Sequence, residues 1–213
     1  MNIDELKNTY QKINGRIKKT LSEFEQVFNK SDEEIFLELA FCILAAGTSA
    51  LLALNTVEKI KGVIFSADRD EMQRALKKAR YRFHTVRADY LVHTREYLKD
   101  DCNFRIKDRI RSFDDRILLR EYFAENRGVK GIAYKEGSHF LRNLGFKGYA
   151  ILDKHIINSL YELGVIDSDK RPSTKKRYIE LEEKMAEFSN EIGIDFDELD
   201  LLLWYSKTGD IIK

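Results

Sequence analysis

A single proline, Pro172, falls within 213 residues. Proline removes a backbone donor and clashes with the preceding helical turn, so a chain almost free of it can run in long helices. The apolar pattern agrees. Residues 3–29 are periodic and charged, as an amphipathic helix requires. Ser31-Asp32-Glu33-Glu34 has the serine-to-glutamate spacing of a capping box. The run Ile35–Ala46 behind it is apolar nearly all round, which assigns it to the centre of the core. Gly47-Thr48-Ser49 breaks that helix and Ala50–Lys61 restarts it. Ser66–Glu71 caps another helix, and further helices are expected over 86–98, 103–110, 114–126, 135–144, 153–163, 175–192 and 195–206. Gly128–Gly131, Gly145 to Gly148 and Gly164 mark turns, and residues 167–174 read as a polar connector. No β-hairpin pattern, repeat or low-complexity tract is present. The expected fold class is all-α, in a single domain spanning 1–213.

Hydrophobic residues make up 43% of the chain and charged residues 34%, enough for a packed core and against global disorder. The net charge of +1 excludes a uniformly basic nucleic-acid coat, so any polyanion site must come from local charge. Such charge is available. Arg74, Lys77, Lys78, Arg80, Arg82 and Arg87 occur in a stretch with no acid, whereas acids gather near Asp195–Asp200 and Glu180–Glu187. The two cysteines, Cys42 and Cys102, are too few for a four-cysteine iron–sulfur cluster or a structural zinc site. No metal, cofactor or disulfide is expected, and Cys42 reads as a small core residue. Met1–Glu5 has no signal-peptide pattern, and no apolar run reaches the roughly 20 residues of a membrane span. The expected location is the cytoplasm, with no membrane partner.

The chemistry concentrates in Gly128-Val129-Lys130-Gly131-Ile132-Ala133-Tyr134-Lys135 and in Ile151-Leu152-Asp153-Lys154-His155. A glycine turn before a helix exposes backbone N–H groups to which the helix dipole adds, a combination that holds phosphate regardless of base sequence. Gly128, Lys130, Gly131 and Ala133 are the candidates, although an ordinary turn between helices has the same look. Lys135 opens the following helix. A helix N-terminus and partial burial both favour the neutral amine, which is a nucleophile able to form an imine at a sugar C1′. A solvated surface lysine is the plainer alternative. Asp153 follows an apolar segment and precedes a helix. It reads as an N-cap that can also orient an amine and stabilise positive charge on a sugar ring. His155 is a further phosphate candidate, or a polar residue of the first helical turn.

Gly128–His155 resembles the catalytic core of the helix–hairpin–helix DNA glycosylase superfamily. Within it, Tyr134-Lys135-Glu136-Gly137-Ser138-His139-Phe140-Leu141-Arg142-Asn143 and Ile151–His155 resemble the compact archaeal-type 8-oxoguanine DNA glycosylase/AP lyases. The likeness extends through Leu39-Ala40-Phe41-Cys42-Ile43-Leu44, Tyr81-Arg82-Phe83 and Leu203-Trp204-Tyr205 to Lys213. It implies two helical lobes with the active site in the cleft between them, the hairpin and catalytic segment spanning about 120–156. It further implies a bifunctional enzyme. Lys135 would displace 8-oxoguanine from C1′, form the Schiff base and nick the strand by β-elimination, assisted by Asp153. The extruded purine would lie between Phe83 and Trp204, with Lys213 at the pocket. The expected partner is double-stranded DNA containing 8-oxoguanine, and the expected state is a monomer working at the prokaryotic nucleoid.

The chain departs from the superfamily pattern in two places. Lys130 and Ala133 replace the usual proline and second glycine of the hairpin, and Gly47-Thr48-Ser49 offers no amide side chain to fill the duplex gap. Read from residues alone, Phe83 and Trp204 fit core aromatics equally well. A glycosylase for another damaged base and a noncatalytic DNA-binding module remain as alternatives.

Overall fold

A computed structural model describes residues 1–211; Lys213 lies outside them. The described residues form eleven helices and no strand. These are α1 (Ile3–Val27), α2 (Asp32–Ala45), α3 (Ala50–Ile60), α4 (Arg69–Lys78), α5 (His84–Cys102), α6 (Ile106–Arg111), α7 (Arg116–Ala124), α8 (Tyr134–Asn143), α9 (Lys154–Glu162), α10 (Lys175–Ile192) and α11 (Phe196–Thr208). The all-α expectation holds, with most ends within three residues.

The largest departures lie at the α5–α6 junction. α5 starts two residues before the expected position and continues to Cys102, and α6 starts only at Ile106. Asn103 and Phe104 occupy the left-handed region, at φ 51° and 60°. Asparagine tolerates that region, but a phenylalanine there is costly and must be compensated. The compensation is packing: the Phe104 ring lies 5.3 Å from Phe36 and 6.3 Å from Phe65. A long-range aromatic contact thus sets a boundary that local pattern does not contain.

The chain divides into two compact units. Val27–Leu144 forms a continuous unit. An interrupted unit combines Met1–Gln26 with the chain from Gly145 onward. In the continuous unit α2 is the hub, packed against α3, α5, α6 and α8. Ile35, Phe36 and every residue from Glu38 to Leu44 are buried, Cys42 among them, as an all-round apolar helix requires. The Ser31 capping box starts this helix, and Gly47, at φ 82°, ends it. In the interrupted unit α11 packs on α9 and α10. Tyr10 of α1 hydrogen-bonds Glu198 of α11. Gly145, at φ 85°, passes so close to Glu25 that a Cβ would sit 2.4 Å from its Cα.

Candidate active site

The turn before α8 is built from α5. A Cβ on Gly128 would meet the Tyr97 ring at 2.2 Å, and one on Gly131 would meet Tyr90 at 2.5 Å and the Arg87 guanidinium at 2.7 Å. Only Gly131 has a positive φ, 76°. Val129 between them and Ile132 just after Gly131 are buried and anchor the turn. The expectation of bare amides narrows accordingly. Gly128 N–H donates to Asn126 Oδ1 at 2.8 Å, Val129 N–H to Asn126 O at 3.1 Å, and Lys130 N–H to Thr94 Oγ1 at 2.9 Å. The glycines therefore serve close packing on α5, and the first half of the turn spends its donors internally. Ala133 is the N-cap of α8 and offers no side-chain acceptor to the first turn; its own N–H is held by Glu136 Oε2 at 3.3 Å.

Lys135 stands in the first turn of α8. Its ammonium lies 2.9 Å from Glu136 Oε1, a partner that helical spacing does not signal. Beneath this turn α8 packs on α7. Arg120 is fully buried, with its guanidinium 4.7 Å from the centre of the Tyr134 ring and Nη1 3.2 Å from Ser138 Oγ. A Cβ on Gly137 would lie 3.4 Å from the Arg120 stem, at the near limit of ordinary contact. Tyr134 OH donates to Glu121 Oε1 at 3.0 Å. The helix carrying Lys135 is thus fixed at its start by a buried cation under an aromatic ring.

Phe83 is the N-cap residue of α5 and is half-buried. The Arg82 guanidinium covers it at 4.3 Å from the ring centre. With Ala46, Gly47, Val86, Arg87 and Tyr90 it lines a surface pocket of about 410 Å³. Arg87 ties this pocket to the turns around it: Nη2 donates to Ala46 O at 2.7 Å, and the same guanidinium abuts Gly131.

Asp153, His155 and Trp204 belong to the interrupted unit, where α9 and α11 pack. Asp153 is the expected N-cap: its Oδ1 accepts from His155 N–H at 2.8 Å and from Ile156 N–H at 2.9 Å. Both cap bonds use the same carboxylate oxygen. The His155 ring meets Trp204 edge-on, 5.0 Å between centres. Trp204 is half-buried, and among the described residues its indole N–H is shielded with no hydrogen-bond partner.

The irregular segment 148–152 delivers Asp153, and acids of α10 and α11 hold its backbone. Gly148 N–H donates to Asp197, Ala150 N–H to Glu182 and Ile151 N–H to Asp200, each at 3.0 Å. Tyr178 OH donates to Ala150 O at 2.7 Å and accepts from Leu152 N–H at 3.3 Å. Burial pushes the Asp197 carboxyl up to about 6, and the nearby Asp195 and Asp200 add to the effect against the Gly148 hydrogen bond. The sequence reading saw these acids only as a charge concentration. The available signal was Asp197 and Asp200 set beside the apolar run Leu201–Leu203 of α11, where buried carboxylates need donors.

An all-helical chain with a glycine turn ahead of a lysine-led helix, followed by an aspartate capping the next one, is a helix–hairpin–helix protein of the DNA glycosylase class. The chain belongs to the 8-oxoguanine DNA glycosylase family, whose model matches residues 17–194. It is 38% identical to an 8-oxoguanine DNA glycosylase/AP lyase of Methanocaldococcus jannaschii, over 99% of this chain and 97% of the relative. It is 37% identical to one of Korarchaeum cryptofilum over the full length of both. Its structure is similar to that of the Methanocaldococcus jannaschii 8-oxoguanine glycosylase/lyase in complex with a 15mer DNA containing 8-oxoguanine, with TM-score 0.89 and 35% identity over 99% of each chain.

Proposed function

We propose that this chain removes 8-oxoguanine from double-stranded DNA and cleaves the strand at the resulting abasic site. Lys135 is the nucleophile: its amine attacks C1′, the base leaves, and the imine that forms permits β-elimination of the 3′ phosphate. Asp153 stabilises positive charge developing on the sugar and assists deprotonation of the amine. Its cap bonds fix the carboxylate through one oxygen and leave the other outside the cap. The damaged nucleotide leaves the stack, and Phe83 and Trp204 supply aromatic faces for the purine; the family resemblance assigns Lys213 to base binding as well. Gly131 and the Lys130 ammonium meet DNA phosphates, with Gly128 shaping the turn, Ala133 N–H held by Glu136, and His155 contributing from α9. The exposed cations Arg74, Lys77, Lys78, Arg80 and Arg82 draw the duplex toward the same unit. The enzyme acts as a monomer in the cytoplasm, without an iron–sulfur cluster.

The observation that carries the reading is Lys135 at the start of α8 directly behind the glycine turn, in a chain similar end to end to 8-oxoguanine glycosylases. Incubation with duplex DNA holding one 8-oxoguanine, followed by borohydride, is the test. A covalent adduct is expected with the natural chain and none with Lys135→Gln. Absence of both adduct and base release with the natural chain removes the lyase reading. Other oxidised and alkylated bases run in parallel identify the preferred lesion, and binding without turnover on all of them supports a noncatalytic module.

A further inference from the structure

Glu136 has a geometry that the reaction above leaves unused. One carboxylate oxygen, Oε2, accepts from Ala133 N–H at 3.3 Å, while the other, Oε1, lies 2.9 Å from Lys135 Nζ. Neighbouring residues on a helix point about 100° apart, so helical ion pairs ordinarily join positions three or four apart. The i,i+1 pair forms here because the bond to Ala133 swings the carboxylate back over the helix start, where the lysine stem reaches it. Lys135 is 34% exposed and Glu136 13%, so water screens this pair less than an open surface pair. A backbone amide thus holds the carboxylate in place, with one oxygen directed at the reacting nitrogen.

We propose that Glu136 is the counterion of the iminium formed on Lys135, an assignment that rests on Lys135 being the nucleophile. The neutral amine attacks C1′ and loses one proton, and the base departs with the electrons of its glycosidic bond. The nitrogen lone pair then expels O4′, which takes up a proton. The product is a C1′=N iminium that retains one N–H and a full positive charge, in the place the ammonium held beside Oε1. Loss of the C2′ proton sends its electron pair through the neutral enamine, which expels the 3′ phosphate and restores a conjugated iminium. The cation is present on both sides of strand cleavage, so a fixed carboxylate stabilises the imine stages more than the initial base release.

Glu136→Gln keeps a side-chain oxygen for Ala133 N–H and removes the charge; Glu136→Asp keeps the charge on a shorter stem. Base release, strand nicking and borohydride-trapped adduct are measured under single-turnover conditions on one 8-oxoguanine duplex, alongside the natural chain and Lys135→Gln. Glu136→Gln is expected to lower trapped adduct per released base by about tenfold or more, the scale of one charge-assisted hydrogen bond. Glu136→Asp is expected to recover part of that ratio. An unchanged ratio, or equal loss of release and nicking as from a purely structural cap, overturns the counterion role while leaving Lys135 in place. Trapping by Lys135→Gln overturns both assignments. Should Glu136→Gln not fold, a folded Glu136→Asp variant with less trapped adduct per released base than the natural chain supports the role, and one with an unchanged ratio or with equal loss of all three products overturns it.

Discussion

Asp153 and Asp197 are one residue type put to two uses by their surroundings. Asp153 accepts two first-turn amides at the start of α9. Asp197 is buried and accepts from Gly148 N–H, and burial raises its carboxyl to about 6. The raised value makes a pH prediction. An unfolded aspartate titrates near ~3.9, so between about pH 4 and 6 the folded chain binds more protons than the unfolded one. The stabilisation is complete below that window and lost as pH rises through it, at a scale of roughly 2–3 kcal/mol. Asp197→Asn keeps an oxygen for Gly148 without the charge. Its melting temperature should exceed that of the natural chain at pH 8, and the advantage should fade toward pH 4. An advantage of equal size at both pH values would remove burial of the charge as its cause. At this scale the sequence was half legible. Asp153 was readable as a cap because capping is local, whereas the partners of Asp197 and the Lys135–Glu136 pair depend on backbone placed by distant packing or on a side chain folding back.

At the scale of elements, the turn before α8 distinguishes two reasons for glycine. Gly128 lies under the Tyr97 ring without a positive φ, so its constraint is space alone. Gly131 combines a φ of 76° with the close approach of Tyr90 and Arg87. Gly128→Ala should therefore destabilise the chain, and adding Tyr97→Ala should recover most of the steric loss. For Gly131→Ala, adding Tyr90→Ala should leave a residue of about 1 kcal/mol from the left-handed backbone. Thermal unfolding of the four variants checks this, and full recovery in both pairs would reduce both glycines to space-makers. Helix existence was legible throughout, because capping residues and apolar periodicity are local signals. The end of α5 was not, since the left-handed Phe104 owes its conformation to Phe36 and Phe65. Nor did the sequence show that Asn126 and Thr94 consume donors at the turn.

On the scale of the whole molecule, a net charge of +1 conceals a sorted surface. The exposed cations from Arg74 to Arg82 lie in the continuous unit, and Glu182, Asp197 and Asp200 are buried acceptors in the interrupted one. Arg95, Arg120 and Arg142 are buried as well, so the buried charges nearly cancel and the exposed cationic stretch itself supplies the local field for binding. Replacing Lys77, Lys78 and Arg80 by glutamine together should weaken binding to undamaged duplex. It should also lower the slope of log affinity against log salt by about 2 to 3, close to one unit per lost phosphate contact. An unchanged slope would exclude the segment from the DNA-contacting surface. The all-α class was legible from one proline and the helix periodicity, and two lobes were expected from the resemblance, but the membership of each unit was not legible, because α1 joins a unit whose other members are encoded more than a hundred residues later. That division sets an order of assembly during translation. A ribosome completes the whole of Val27–Leu144 before it supplies α9, α10 or α11 to α1. Since compact units generally fold as they emerge, a nascent chain arrested with Leu144 just clear of the ribosome should resist protease from α2 to α8, while α1, whose Leu6 and Ile17 are buried in the finished chain, waits as a substrate for chaperones.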